Sequence, residues 1–201
     1  CGQRYVSETR FGTMVHAQLF PGQENSGRLV QVLRTRAKEV AASQGRELIL
    51  CDGAPGIGCP VISSLSGASL AVIVTEPTPS GLHDLERVGR LCEHFRVPAA
   101  IVVNKHDLNP DVARDIEALA RDRGYEVVAR LPHDPVVTRA MIARKVVTEA
   151  PDNPLTPLLA QAWTRIEALA RQTREKPRAL FSETKDQGIP RPQKETGVEH
   201  E

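Results

Sequence analysis

The sequence predicts an α/β protein whose mainly parallel sheet is covered on both faces by helices. Three observations predict it. Short apolar runs at Leu48–Cys51, Leu70–Thr75, Ala99–Val103 and Tyr125–Leu131 alternate with longer segments whose apolar residues recur at helical spacing. The runs carry few polar interruptions, as strands buried on both faces do. Polar clusters at 52–58, 104–107 and 132–134 each follow one of these runs directly. In open parallel sheets, ligands bind beyond the carboxyl ends of the strands, so the three clusters are expected to form one site.

Each element has its own signal. Arg4–Phe11 and Thr13–Leu19 flank Gly12 and are rich in Tyr, Val, Thr and Phe, which predicts two extended segments paired as a hairpin. Asn25 or Ser26 can cap a helix carrying Leu29, Val30, Leu33, Ala37, Val40 and Ala41 on one face, with Gly45 as its stop. Leu48–Cys51 reads as a buried strand running into the Asp52–Gly58 turn, and Pro60–Leu65 as a short helix. Leu70–Thr75 is the next buried strand. Thr78 or Ser80 can cap a helix with Leu82, Leu85, Val88, Leu91 and Phe95 inward. Ala99–Val103 is the third strand, and Asn109-Pro110 opens a helix through Val112, Ile116, Leu119 and Ala120. Tyr125–Leu131 is the fourth strand. A short helix over Val136–Lys145, a Pro-broken connection at Pro151–Pro157 and a last amphipathic helix over Leu158–Gln172 follow. From Thr173 onward Lys, Glu, Pro and Gly dominate, and that composition predicts a disordered tail. The expected organisation is therefore an extended segment over 1–22, an α/β domain over 23–172 and a tail over 173–201.

Composition excludes several classes. The chain has 201 residues and a formal net charge of +1, so bulk charge favours neither nucleic acid nor an anionic membrane. Aromatic residues are 3% of the chain, too few for a stacking platform on single strands. No apolar run approaches the ~20 residues of a membrane-spanning helix. The cysteines, Cys1, Cys51, Cys59 and Cys92, form no C-x-x-C pair and read as reduced thiols of a cytoplasmic protein, with Cys59 a small buried residue at a helix start. Cys1 stands where a methionine would begin a chain, and the segment is read as the C-terminal portion of a longer protein.

Two motifs carry chemistry. Asp52-Gly-Ala-Pro-Gly-Ile-Gly58 puts an aspartate and a flexible Pro-Gly turn after an apolar run, suited to a magnesium ion held through water at Asp52 and to a γ-phosphate meeting the Gly56 N–H. The competing reading is an ordinary strand-to-helix turn, since Asp, Pro and Gly are common turn residues. Asn104-Lys105-His106-Asp107 offers an amide for a purine edge, a lysine stem along the base plane and an aspartate that could accept from guanine. The competing reading is a polar loop capped by Asn and Asp. Thr75-Glu76-Pro77-Thr78 ends the second strand and has two readings: a lining of the nucleotide or switch region, and the preferred one, a loop in which Thr78 or Ser80 caps the next helix. His83-Asp84 reads as a solvated helix start, because adjacent helical residues do not face one another. His106 and His133 are expected near each other but lack a third metal ligand.

Asp52-Gly-Ala-Pro-Gly-Ile-Gly-Cys-Pro-Val-Ile, Val74-Thr-Glu-Pro-Thr-Pro-Ser-Gly-Leu-His-Asp-Leu-Glu-Arg and Val103-Asn-Lys-His-Asp-Leu-Asn together resemble the MinD/ParA-like P-loop ATPases. The closer resemblance is to the subgroup near the Mrp and CobQ/CobB relatives that carries a ferredoxin-type 4Fe-4S insert. It runs from about Arg4 to about Val147. It implies a doubly wound P-loop NTPase fold of the SIMIBI type and a protein that binds and hydrolyses ATP with Mg2+. It implies that Asp52 and Gly56 are the catalytic switch residues, Asp52 near the metal. Asn104, Lys105, Asp107, Pro132 and Asp134 would surround the nucleotide base, with Asn104 on adenine. The family's phosphate loop Gly-x-x-x-x-Gly-Lys-Ser/Thr and its cysteine-rich insert do not occur in these residues, so the N-terminal P-loop strand is expected to be missing and this chain alone to be inactive. Implied partners are a second copy of the chain through the nucleotide face and a redox or iron–sulfur client. Two alternatives stand beside this. One is a GTPase-like protein that reads guanine through Asn104-Lys105-x-Asp107. The other is a degenerate, non-enzymatic partner subunit.

Overall fold

The computed structural model describes residues 2–23 and 26–175. The expectations for Cys1, for Asn25 as a cap and for residues 176–201 of the tail lie outside the described residues. Gly2–Thr9 (β1) and Gly12–Leu19 (β2) pair antiparallel around a tight turn. In that turn the Thr9 hydroxyl donates to Gly12 O at 2.7 Å and accepts from Phe11 N at 3.2 Å. Arg10, at the turn, reaches across to Glu149 at 2.8 Å. Ser26 caps Gly27–Ser43 (α1) by accepting from Leu29 N at 3.3 Å. Arg34 of α1 donates to Ser63 O at 2.7 Å and also to Ser66 O, which satisfies carbonyls at the end of the short helix Cys59–Leu65 (α2).

Ala71–Thr75 (β3), Ala99–Asn104 (β4) and Glu126–Leu131 (β5) form a parallel sheet in the order β3-β4-β5. Pro79–His94 (α3) and Pro110–Asp122 (α4) cover one face, and Leu155–Glu175 (α6) covers the other. The period-2 alternation of β4 divides its side chains between them. Ile101 and Val103 join Leu85, Ile116 and Ala120 on the first face. Ala100 and Val102 join Val128, Ala129 and Ala162 on the second. A third cluster packs Val61 and Leu65 of α2 against Cys92 of α3 beside Ala71 and Ile73. Burial pushes the Cys92 thiol up to about 11, so it packs as a protonated apolar group. β5 carries a bulge: Ile101 pairs Val127 and Val102 pairs Ala129, leaving Val128 extra.

After β5 the chain forms Val136–Ile142 (α5) and a 3-10 turn at Val147–Glu149. Asn153 then starts α6. Its Oδ1 accepts from Leu155 N and Thr156 N at 3.1 and 2.9 Å, while its Nδ2 donates to Val147 O and Ala150 O. The helix begins three residues earlier than the periodicity suggests, because Pro157 sits in its first turn, where a missing N–H costs nothing. It also runs to Glu175, so 173–175 are helical rather than part of the tail. No described helix is long and apolar enough to cross a membrane.

Three expectations are corrected. Leu48–Cys51 is not a strand, and Leu48, Ile49 and Leu50 are 48, 38 and 78% exposed. Apolar patterning selects side chains, whereas a strand also needs a neighbour for its N–H and C=O groups, and none lies beside this run among the described residues. β3 is an edge strand rather than a fully buried one, with Val74 63% exposed. Cys59 is exposed, because α2 turns Val61 and Leu65 inward and leaves its first residue on the surface.

Gly81 fixes the turn that leaves β3. Its N–H donates to Thr78 Oγ1 and its carbonyl accepts from buried Thr75 Oγ1, both at 3.0 Å. A Cβ there would lie 2.3 Å from Glu76 O. Gly81→Ala is therefore expected to lower unfolding stability by about 1–3 kcal/mol in urea titrations. Gly53→Ala, where an added Cβ meets nothing within 4 Å, should change it by less than about 0.5 kcal/mol.

Candidate functional site

The carboxyl ends of β3, β4 and β5 lie side by side, and each ends in polar residues. β4 ends at Asn104, and Lys105 takes a left-handed conformation (φ 52°) that turns the chain off the sheet. Leu108 N then donates to Lys105 O at 3.0 Å, closing the turn. Glu76, just beyond β3, bridges to this loop. One carboxylate oxygen accepts from Asn104 Nδ2 at 3.2 Å and from Lys105 Nζ at 2.8 Å. A carboxylate accepts only, so it faces the Asn104 amide nitrogen toward β3 and leaves Oδ1 on the opposite side.

The loop after β4 is stitched to the loop after β5. His106 N donates to Leu131 O at 3.0 Å, and His133 N donates to Asp107 Oδ1 at 2.7 Å. The His133 N–H holds the Asp107 carboxyl below the usual aspartate range, and the imidazoles of His106 and His133 on either side add to the effect. Half-buried Pro132 carries the chain past the sheet edge. Asp134 accepts from Val136 N at 2.7 Å and so fastens the start of α5.

Asn104, Lys105, Asp107, Pro132 and Asp134 thus gather at two adjacent strand ends, as their spacing suggests. The group gains Glu76, whose segment the sequence reading placed in a capping loop, with a lining of the nucleotide or switch region as the alternative. The available signal was its place directly after an apolar run, the same signal that singled out Asn104. Asp52 and Gly56 sit differently. They are not at the end of a sheet strand, since the run before them has no ladder. Both are exposed, and Gly56 has a φ of 81° that favours glycine. Their loop is docked through Ala54, which packs on the cluster of Val61, Leu65 and Cys92 beside β3. No hydrogen bond or ion pair joins Asp52 to another described residue, so its carboxylate is free to face a hydrated cation. No group of three His, Cys, Asp or Glu side chains with metal-ligand geometry occurs among the described residues. His83 and Asp84 are exposed on α3, where Asp84 pairs with Arg87 at 3.6 Å.

No family model matches the chain. It is 34% identical over 106 residues to one uncharacterised protein of Methanocaldococcus jannaschii, covering 52% of this chain and 37% of that protein. It is 34% identical over 92 residues to another from the same organism, covering 45% and 34%. The chain thus spans about a third of the length of the curated relatives it matches. Among solved structures it is similar to the Aquifex aeolicus cell-division protein MinD, with a TM-score of 0.62, 16% identity, and 81% of this chain and 68% of that one covered. The MinD ATPase of Pyrococcus furiosus gives a TM-score of 0.57 at 21% identity, covering 72% and 59%. MinD of Pyrococcus horikoshii, solved with Mg-ADP, gives 0.57 at 18% identity, covering 75% and 60%. The chain shares its α/β fold with these MinD structures.

The Asp107 bond sets a pH signature. A depressed carboxyl contributes stability that is present above the unfolded pKa and lost as pH falls through the lower folded pKa. The His133 amide resonance should therefore shift with a midpoint below the ordinary aspartate value of about 3.9. In Asp107→Asn that transition should vanish. A midpoint at or above about 3.9 in the unaltered chain would mean that the two loops are not joined this way.

Proposed function

We propose that this chain forms the switch side and the base side of an ATP-binding, MinD-like P-loop ATPase, with the phosphate cradle coming from another segment or chain. The observation that carries this reading is the convergence of Glu76, Asn104, Lys105, Asp107 and Pro132 at adjacent parallel strand ends in a MinD-type fold.

In this reading Asn104 reads adenine. Glu76 takes one amide N–H, and the outward Oδ1 is available to accept from the exocyclic amine of the base. Pro132 walls the base, and Asp134 holds that wall by fastening α5. Asp52 would hold Mg2+ through water, and its unpaired, exposed carboxylate fits that role. The bound ion would neutralise phosphate charge during transfer. Gly56, already in a conformation that needs no side chain, would turn its N–H to the γ-phosphate. Among the described residues, β3 has a free edge and Leu48–Leu50 is unpaired, which leaves a place for one more parallel strand. Such a strand would cover Val74 and bring its following turn toward Asp52.

The engaged Asp107 favours adenine over guanine. One of its oxygens is committed to the His133 N–H, so it serves as a clasp between loops rather than as an open acceptor for guanine. The finer assignments rest on the motif resemblance: a ferredoxin-type 4Fe-4S insert elsewhere in the protein, a dimer through the nucleotide face and an iron–sulfur client.

Residues 1–201 alone are expected to show no magnesium-dependent ATP hydrolysis. A longer protein that includes a phosphate loop should hydrolyse ATP, and Asp52→Ala should abolish its turnover. Asn104→Ala should weaken ATP binding by about 1–3 kcal/mol, the worth of one lost base contact, as measured by titration calorimetry. Hydrolysis by the 201-residue chain, or GTP binding as tight as ATP binding, would overturn the proposal.

A further inference from the structure

A second charged feature lies away from the strand ends. Where α1 packs over β2, it leaves an open groove of about 250 Å3 against β1. Arg4 of β1 lines one wall, and Arg28, Val32, Thr35, Arg36 and Glu39 of α1 line the other. Arg36 pairs with Glu39 at 2.9 Å. Arg4 and Arg28 make no ion pair with any described residue. Val32 is 37% exposed, although it lies between the two helix arginines. The groove therefore has a small apolar floor, three guanidinium groups and a single carboxylate.

We propose that this groove docks an extended acidic segment of a partner protein, with two carboxylates four residues apart and an apolar residue between them. The spacing carries the argument. Arg28, Val32 and Arg36 follow one another at four-residue steps along α1, which is about 6 Å per step and about 12 Å overall. Alternate side chains on one face of an extended chain advance about 6.6 Å, so positions i, i+2 and i+4 match that series. A carboxylate at i meets Arg28, an apolar side chain at i+2 covers Val32, and a carboxylate at i+4 meets Arg36 in place of or beside Glu39, the two carboxylates as charge-assisted pairs. Arg4 faces the same segment from the opposite wall. β1 pairs only with β2 among the described residues, so its outer backbone edge is open to an added strand. A single phosphate is short beside the about 12 Å of helix backbone that separates Arg28 from Arg36. Glu39 opposes a nucleic-acid backbone, and no aromatic ring lines the groove for bases to stack on. The proposal is independent of the nucleotide reading.

The test uses the 201-residue chain labelled with nitrogen-15 and a short capped peptide containing Glu-Ser-Leu-Ser-Glu. Amide shifts should move in β1 and α1, and rising salt should weaken the binding. Replacing Arg4, Arg28 and Arg36 together by Gln should weaken binding at least about tenfold with the helical spectrum unchanged. Removing the same charge elsewhere, by Arg87→Gln, Arg90→Gln and Arg114→Gln, should change it by less than about twofold. A Glu-Glu-Leu-Ser-Ser isomer should bind more weakly. Equal loss in the two triple variants, equal binding of the isomer, shifts outside β1 and α1, or tighter binding of inorganic triphosphate or single-stranded RNA at these residues would overturn the proposal.

Discussion

β4 is buried on both faces, and the described sheet depends on it. A strand in that position needs apolar side chains at every step and backbone partners on both edges. Ala100, Ile101, Val102 and Val103 meet the first requirement, and β3 and β5 meet the second. The three helices on the sheet pack on the alternating side chains of this strand. With β4 held this way, its end is held as well, so Asn104 and Lys105 leave the sheet from a rigid origin. The loops on either side are tied to that origin by short polar contacts through Glu76, Asp107 and the His106 N–H.

Most of the architecture was legible because it rests on local signals. Gly12, Ser26, Asn109 and the helical spacing of Leu85, Val88 and Leu91 each act within a few residues. What failed depended on neighbours that no local window contains. Leu48–Cys51 has the composition of a strand and the exposure of a loop, because pairing is a property of two segments. Glu76 was left between a capping loop and a site lining for the same reason: its contacts to Asn104 and Lys105 become visible only when β3 and β4 are laid side by side. Cys59 was misjudged by residue type, since the face that a short helix turns inward decides burial more than the identity of its first residue.

The candidate site therefore has two mechanical halves. On one side, Glu76 holds Asn104 and Lys105 while Asp107 holds the His133 N–H, and these contacts leave little freedom to rearrange. On the other side, Asp52 and Gly56 hang on a loop anchored mainly through Ala54. A tightly bonded half beside a loosely tethered half is the arrangement expected where binding orders a loop, since a segment with few buried contacts costs little to reposition.

The bulge at Val128 has a consequence for how the sheet can grow. Bulges, charges and capped carbonyls blunt an edge strand against pairing with foreign chains. β5 has all three: the extra residue, Arg130, and Arg165 donating to Val127 O at 3.4 Å. β3 has none of them; its Ala-Val-Ile-Val-Thr run is regular and uncharged, with no proline. Among the described residues, the three-stranded sheet is thus blunted on its β5 edge and open on its β3 edge. A strand added to this sheet therefore meets less obstruction at β3 than at β5, and an edge of that kind left uncovered while a chain folds is exposed to pairing with other chains.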